Sequence, residues 1–123
     1  MYKFKTPALR NVSLTAPYGH NGAYPTLKSI IKHHLNPIKM NKNWKPEYAN
    51  LPKAPWLEQI DFVTFSDKRE QDRILSSIDI QPIELNDKEI DELVSFLKSL
   101  TGRSGNQRPL GKPDKVPSGL SID

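Results

Sequence analysis

The sequence predicts an all-α chain of short helices joined by long irregular loops, and three observations predict it. Apolar residues recur at helical spacing over residues 26–35 and again over 87–100. No run alternates apolar and polar residues in the way a half-buried strand does. Eleven Pro in 123 residues interrupt much of what lies between. The core is also thin. The hydrophobic fraction is 36% and the mean hydropathy −0.63, below the roughly 45–50% apolar content (Gly included) of ordinary soluble domains. Two or three short helices do not bury enough surface to hold a chain of this length, so a cofactor, a partner or further polypeptide is expected to complete the core.

Residues 1–25 carry Pro7, Pro17, Gly19, Gly22 and Pro25 and predict irregular structure held by packing. Residues 26–35 predict a helix with Thr26 as N-cap. Leu27, Ile30, Ile31 and His34 fall at i, i+3, i+4 and i+7, one helical face. Asn36-Pro37 stops that helix, because a residue before proline avoids the α region. Residues 36–65 read as a long connection, and Phe62–Phe65 as an apolar run too short for a strand. Residues 67–77 read as a helix capped by Ser66 that buries Ile74 and Leu75. Residues 87–100 are the strongest helix. Asn86 and Glu89 make a capping box, and Ile90, Leu93, Val94, Leu97 and Leu100 form the stripe with Phe96 on its flank. Gly102 is expected as a left-handed stop. The 103–123 stretch predicts an extended or disordered tail.

The composition excludes several chemistries. With no Cys there is no disulfide, zinc–thiolate site, iron–sulfur cluster or C-x-x-C-H haem attachment within this sequence. No run of 18 apolar residues exists to span a membrane, and MYKFKTPALR has no apolar core of a secretory signal. P-loop, G-x-G-x-x-G, nucleophile-elbow and H-E-x-x-H motifs are missing. The charge is uneven. Residues 1–60 hold nine basic and two acidic side chains, whereas 61–123 hold nine and twelve. That asymmetry is either a solvated surface or a basic face for an acidic partner or nucleic acid. Asp87, Glu89, Asp91 and Glu92 cluster in the first turns of a helix, where the macrodipole favours them without any catalytic role.

The three histidines are the chemical candidates. His20 lies in APYGHNG, a loop fixed by Pro and Gly, either bonded to a carbonyl or placed for function. His33 is expected on the polar, solvated face of its helix and His34 on the apolar face. His34 is then either a satisfied core residue or an imidazole aimed at iron. Adjacent helical positions diverge by about 100°, so His33 and His34 do not share one ion.

The run FKTPALRNVSLTAPYGHNGAYPTL, Phe4 to Leu27, resembles the C-terminal haem domain of bacterial di-haem cytochrome c peroxidases and their MauG-like relatives. The run LNDKEIDELVSFLKSLTG, Leu85 to Gly102, is similar to the closing helix of that domain. Together they cover 42 of 123 residues. The first block is long and specific; the second alone is weaker, since many cytochrome c domains close with such a helix. The resemblance implies a partial cytochrome c-like domain over residues 1–102, with an insertion at about 36–82. In that family one axial ligand of the C-terminal haem lies fourteen residues beyond the histidine of the P-Y-x-H-[DN]-G loop. Counted from His20, that position is His34. Met stands there in electron-transfer peroxidases and Tyr in MauG-type enzymes, so His34 implies bis-histidine ligation and a lower potential than Met ligation gives. Arg10 and His20 are implied contacts to haem propionates or to the path between haem domains. Main-chain carbonyls of Thr15 and Pro17 are implied calcium ligands, hard oxygen donors for a hard cation. Gly19 and Asn21 depart from the Phe or Met and the Asp usual in that loop.

The implied parent is a periplasmic oxidoreductase that reduces hydrogen peroxide or uses it to oxidise a substrate. It would carry haem c attached outside this sequence and draw electrons from a small cytochrome or cupredoxin. This chain is expected to be the C-terminal part of that longer protein and inactive alone, with Leu93, Val94, Phe96 and Leu97 lacking a partner helix. The alternative is a degenerate, non-enzymatic binding module that uses the basic face.

Overall fold

A computed structural model describes residues 5–51, 53–58 and 60–103. Residues 104–123 of the expected tail, and Phe4 of the first motif block, lie outside the described residues. Among the described residues there are five α-helices and no strand, as the sequence predicts.

The helix α1 (Leu27–Leu35) begins at Thr26, whose side chain accepts from the Ser29 N–H at 3.1 Å. The Ser29 hydroxyl oxygen accepts from the Thr26 N–H at 3.2 Å, which completes a capping box. Asn36 closes α1 and opens α2 (Pro37–Asn43), its side chain accepting from the Lys39 N–H at 2.9 Å. This second helix corrects the long-connection reading. Pro37 does stop α1, but it also starts α2, because at the first helical position a missing N–H removes a donor that had no intrahelical partner.

Two further helices also lie where the sequence carries little or displaced signal. Phe62–Phe65 falls in a four-residue helix α3 (Val63–Ser66). Helix α4 (Lys68–Ser76) is capped by Asp67 rather than Ser66, with the Asp67 carboxylate accepting from the Arg69 and Glu70 N–H groups. Ile74 and Leu75 are half-buried rather than buried.

The helix α5 (Asp87–Ser99) carries the expected box. The Glu89 N–H donates to Asn86 Oδ1 at 3.0 Å and the Asn86 N–H to Glu89 Oε2 at 2.7 Å. Its stop differs from expectation. The Leu100 N–H bonds back to Leu97 and the Thr101 N–H to Lys98, and Gly102 keeps an ordinary backbone while donating its N–H to Asn11 Oδ1 at 2.7 Å. The helix end is therefore held by the N-terminal segment rather than by a left-handed glycine. A backbone bond from Asn11 to the Leu100 carbonyl and a Ser13–Thr101 hydroxyl pair reinforce that seam.

Helices α1 and α5 run antiparallel. Lys28 Nζ reaches Asp91 at 2.7 Å and Asp87 at 3.8 Å, Lys32 Nζ reaches Asp87 at 3.7 Å, and beyond them the Ile83 N–H donates to the Leu35 carbonyl at 2.9 Å. The hydrogen bond to Asp91 is the main reason the Lys28 ammonium holds its proton above the ordinary lysine range. Such exposed pairs fix orientation but add little stability. Burial does more. Ile90 is 4% exposed, and a fully buried aliphatic side chain of this size contributes about 2 kcal/mol. Val94 and Leu97 of α5 pack on the cluster of Tyr18, Tyr24 and Leu27, with Val12, Ile30, Met40 and Trp44 around it. Leu93 and Phe96, on one flank of the same helix, stay exposed.

Candidate functional site

The loop before α1 is shaped by backbone demands. Tyr18 and Tyr24 form an antiparallel bridge, with N–H···O distances of 2.7 and 3.0 Å. The turn between them needs left-handed residues, Gly19 at φ +77°, Asn21 at φ 54° and Gly22 at φ +67°. A Cβ on Gly22 would lie 2.9 Å from Pro17 Cγ and 3.1 Å from the Asn50 carbonyl, so glycine is required there twice over. Gly19 and Asn21 depart from the usual family residues but suit this backbone, since Gly and Asn tolerate φ > 0 best.

That turn places His20 at the exposed rim of a cleft of about 620 Å³. The far wall is aromatic: Trp44 packs edge-on against Phe65 at 5.0 Å between ring centroids and lies 6.1 Å from Phe62. The indole N–H of Trp44 donates to the Ala23 carbonyl at 2.9 Å, tying this wall back to the loop. Sequence reasoning placed Trp44 in a connection and predicted no packing partner for it. Its partner on the loop is a main-chain carbonyl, which no side-chain pattern announces.

Tyr24, only 6% exposed, links the loop to the last turn of α1. Its hydroxyl lies 2.9 Å from His33 Nδ1 and the two rings are 5.1 Å apart. The phenol is the stronger donor of the two, so we assign its O–H to Nδ1 and the imidazole proton to Nε2. Burial pushes the Tyr24 phenol above its usual value. Burial first, and the neighbouring His34 second, push His33 below its usual value. Both effects favour a neutral pair.

The two adjacent histidines exchange the environments expected of them: His33 is half-buried and His34 is exposed. The angular reading of the sequence still holds. At about 100° per residue His34 projects between Ile30 and Ile31, about 40° from the first and 60° from the second. Ile31 in that sector is buried and Ile30 half-buried. His34 is thus exposed in the direction that α1 otherwise buries. His33 is covered because Tyr24 reaches it from the loop.

The other sequence-derived site residues lie apart from His34. Arg10 is exposed beside the end of α5, its guanidinium 3.9 Å from where a Cβ on Gly102 would sit. A cation there complements the C-terminal end of a helix dipole. Since α5 runs antiparallel to α1, that is the end of α5 away from His34. Thr15 closes a 3₁₀ turn (Val12–Leu14), its N–H and hydroxyl both donating to the Val12 carbonyl, which also accepts from the Tyr18 hydroxyl. Thr15 and Pro17 are exposed, and Pro17 borders the His20 cleft. No group of three or more His, Cys, Asp or Glu residues converges among the described residues, and no described helix is long and apolar enough to cross a membrane.

Comparison with known proteins gives this sequence relatives. The chain is 37% identical to the methylamine utilization protein MauG of Paracoccus denitrificans over 106 residues, 82% of this chain and 23% of that protein. This is a MauG-like stretch of sequence. The MauG of Methylophilus methylotrophus is 29% identical over 82% of the chain and 21% of its own length. That of Methylorubrum extorquens is 24% identical over 80% of the chain and 19% of its own length. The chain therefore spans about a fifth of the MauG proteins it matches. No family model and no solved structure matches it. The all-α architecture with long loops is that expected of a MauG-like, partial cytochrome c-like domain.

Proposed function

We propose that this chain supplies the distal side of the electron-transfer haem pocket in a di-haem oxidoreductase of the cytochrome c peroxidase and MauG-like kind, with His34 as the axial ligand. One observation carries the reading. His34 lies in the buried sector of α1, beside Ile30 and Ile31, yet stands exposed. An exposed imidazole presented from an apolar helix face fits an iron ligand better than a core residue. The exposed Leu93 and Phe96 on α5 give a second uncovered apolar strip, suited to a helix from the rest of the protein.

The residues present fit the group they would hold. His34 offers a nitrogen ligand, with Ile30 and Ile31 on the same helix face and the His33 ring 5.8 Å away. The haem c, anchored by a C-x-x-C-H motif elsewhere, would supply one-electron transfer toward a peroxide-reducing or peroxide-dependent oxidising centre. What this chain does is bind, orient and shield. Tyr24 and His33 fix the end of α1, and Ile30 and Ile31 flank the ligand on the apolar face of the helix. Arg10 offers a fork for a propionate carboxylate. His20 borders the path to the second haem domain. The main-chain carbonyls of the exposed Thr15 and Pro17 suit calcium, whose other protein ligand would come from that domain. The parent is a periplasmic enzyme that takes electrons from a small cytochrome or cupredoxin and acts on hydrogen peroxide. This chain alone is inactive.

A redox titration of the haem-loaded protein that carries this chain tests the reading. The high-potential character typical of Met ligation should be missing, and His34→Met should raise the midpoint of one haem only. A native midpoint already in the Met-like range, unmoved by that substitution, would sink the assignment.

A further inference from the structure

We infer that Tyr24 is a positioning residue for the His34 imidazole, acting through its hydrogen bond to His33. The inference rests on the reading of His34 as an iron ligand and adds a device that sets how that ligand is presented.

The path is short and made of named contacts. Tyr24 is fixed at its backbone by the bridge to Tyr18, and its neighbour Ala23 is held by the Trp44 indole. Its ring lies tight against Gly19, where an added Cβ would meet Tyr24 Cδ2 at 3.1 Å. The phenol has little freedom left, so its oxygen is a rigid post. That oxygen meets His33 Nδ1 at 2.9 Å. His33 in turn sets its ring 5.8 Å from that of His34, edge to face at 75°. The last turn of α1 is also tied by the Lys32–Asp87 ion pair at 3.7 Å and by the backbone bond from Ile83 to the Leu35 carbonyl, which limit fraying but do not act on the rotation of the His33 and His34 side chains. Without the post, the His33 ring is released, and with it the wall against which the His34 ring stands. The π-bonding of an axial imidazole with iron depends on the plane of its ring, so rotation about χ2 of His34 is read directly by the metal.

The test uses the haem-loaded, full-length protein and low-temperature electron paramagnetic resonance of its ferric low-spin haem. Tyr24→Phe removes one oxygen and keeps the buried ring. The expected result is a shift and broadening of the low-spin g-values of one haem, with that haem still six-coordinate. His33→Asn, whose side-chain oxygen accepts from the Tyr24 hydroxyl in place of Nδ1, is expected to keep the signal narrower than His33→Ala does. A Tyr24→Phe spectrum superimposable on the native one, in a protein whose signal is abolished by His34→Ala, overturns the positioning role and leaves the ligand assignment standing. A native-like signal in His34→Ala overturns both.

Discussion

The two ends of α1 make an instructive contrast. Its first turn is closed: Leu27 is buried with Tyr18 and Tyr24, with Val94 and Leu97 of α5 packed on the same cluster. Its last turn is open: His34 points in the same general direction and meets solvent. The helix is continuous and its apolar periodicity does not falter, so the difference lies in what covers it. Among the described residues the core runs out along α1 at His34, where an iron ligand is proposed, and along α5 at Leu93 and Phe96. A thin core with a defined edge is what a domain built around a large cofactor leaves when the cofactor's other supports lie outside the sequence.

Substitutions on the closed side should do the most damage. Ile90→Ala removes the most buried of the core side chains and should destabilise the fold by about 3 kcal/mol, read as a lower urea midpoint at unchanged slope. A loss under about 1 kcal/mol would mean that α5 is not seated as described. Gly22→Ala should cost about 2 kcal/mol, because φ +67° strains any L side chain and Pro17 leaves no room for the methyl. Asn86→Ala should cost about 1 kcal/mol by opening the capping box of α5.

The histidine pair gives a smaller, pH-dependent effect. The folded protein holds His33 below its ordinary value of about 6.5, so protons bind the unfolded chain first as pH falls. The contribution is intact above that value and is lost as pH drops through the lowered folded one. Urea midpoints between pH 7.5 and pH 5 should fall more steeply for the native protein than for His33→Asn; parallel profiles would remove His33 from its half-buried place. On the open side, Leu93→Ser should change stability by no more than about 0.5 kcal/mol in the haem-free chain, and a larger loss would show that flank is already covered.

Legibility followed the range of the signals. Both principal helices could be read because their evidence is local: Thr26 and Asn86 as caps, and apolar stripes spaced for one face. The α2 helix was hidden because Pro37 carries two opposite meanings, stop for one helix and start for the next, and sequence alone favoured the first. Helix α3 is a single turn with no periodicity to detect. The exchanged environments of His33 and His34 have a different cause. Periodicity gives the angle of a side chain but not where the neighbouring structure ends, and the contact that covers His33 comes from Tyr24, on a loop whose path depends on three left-handed residues.

The central claim is that His34 ligates iron, and the near-infrared magnetic circular dichroism of the ferric haem-loaded protein tests it most directly. The native protein should display the charge-transfer band of bis-imidazole ligation for one haem. In His34→Met that band should move to the longer-wavelength position of histidine–methionine ligation. A band at the same place in native and variant protein would contradict the account.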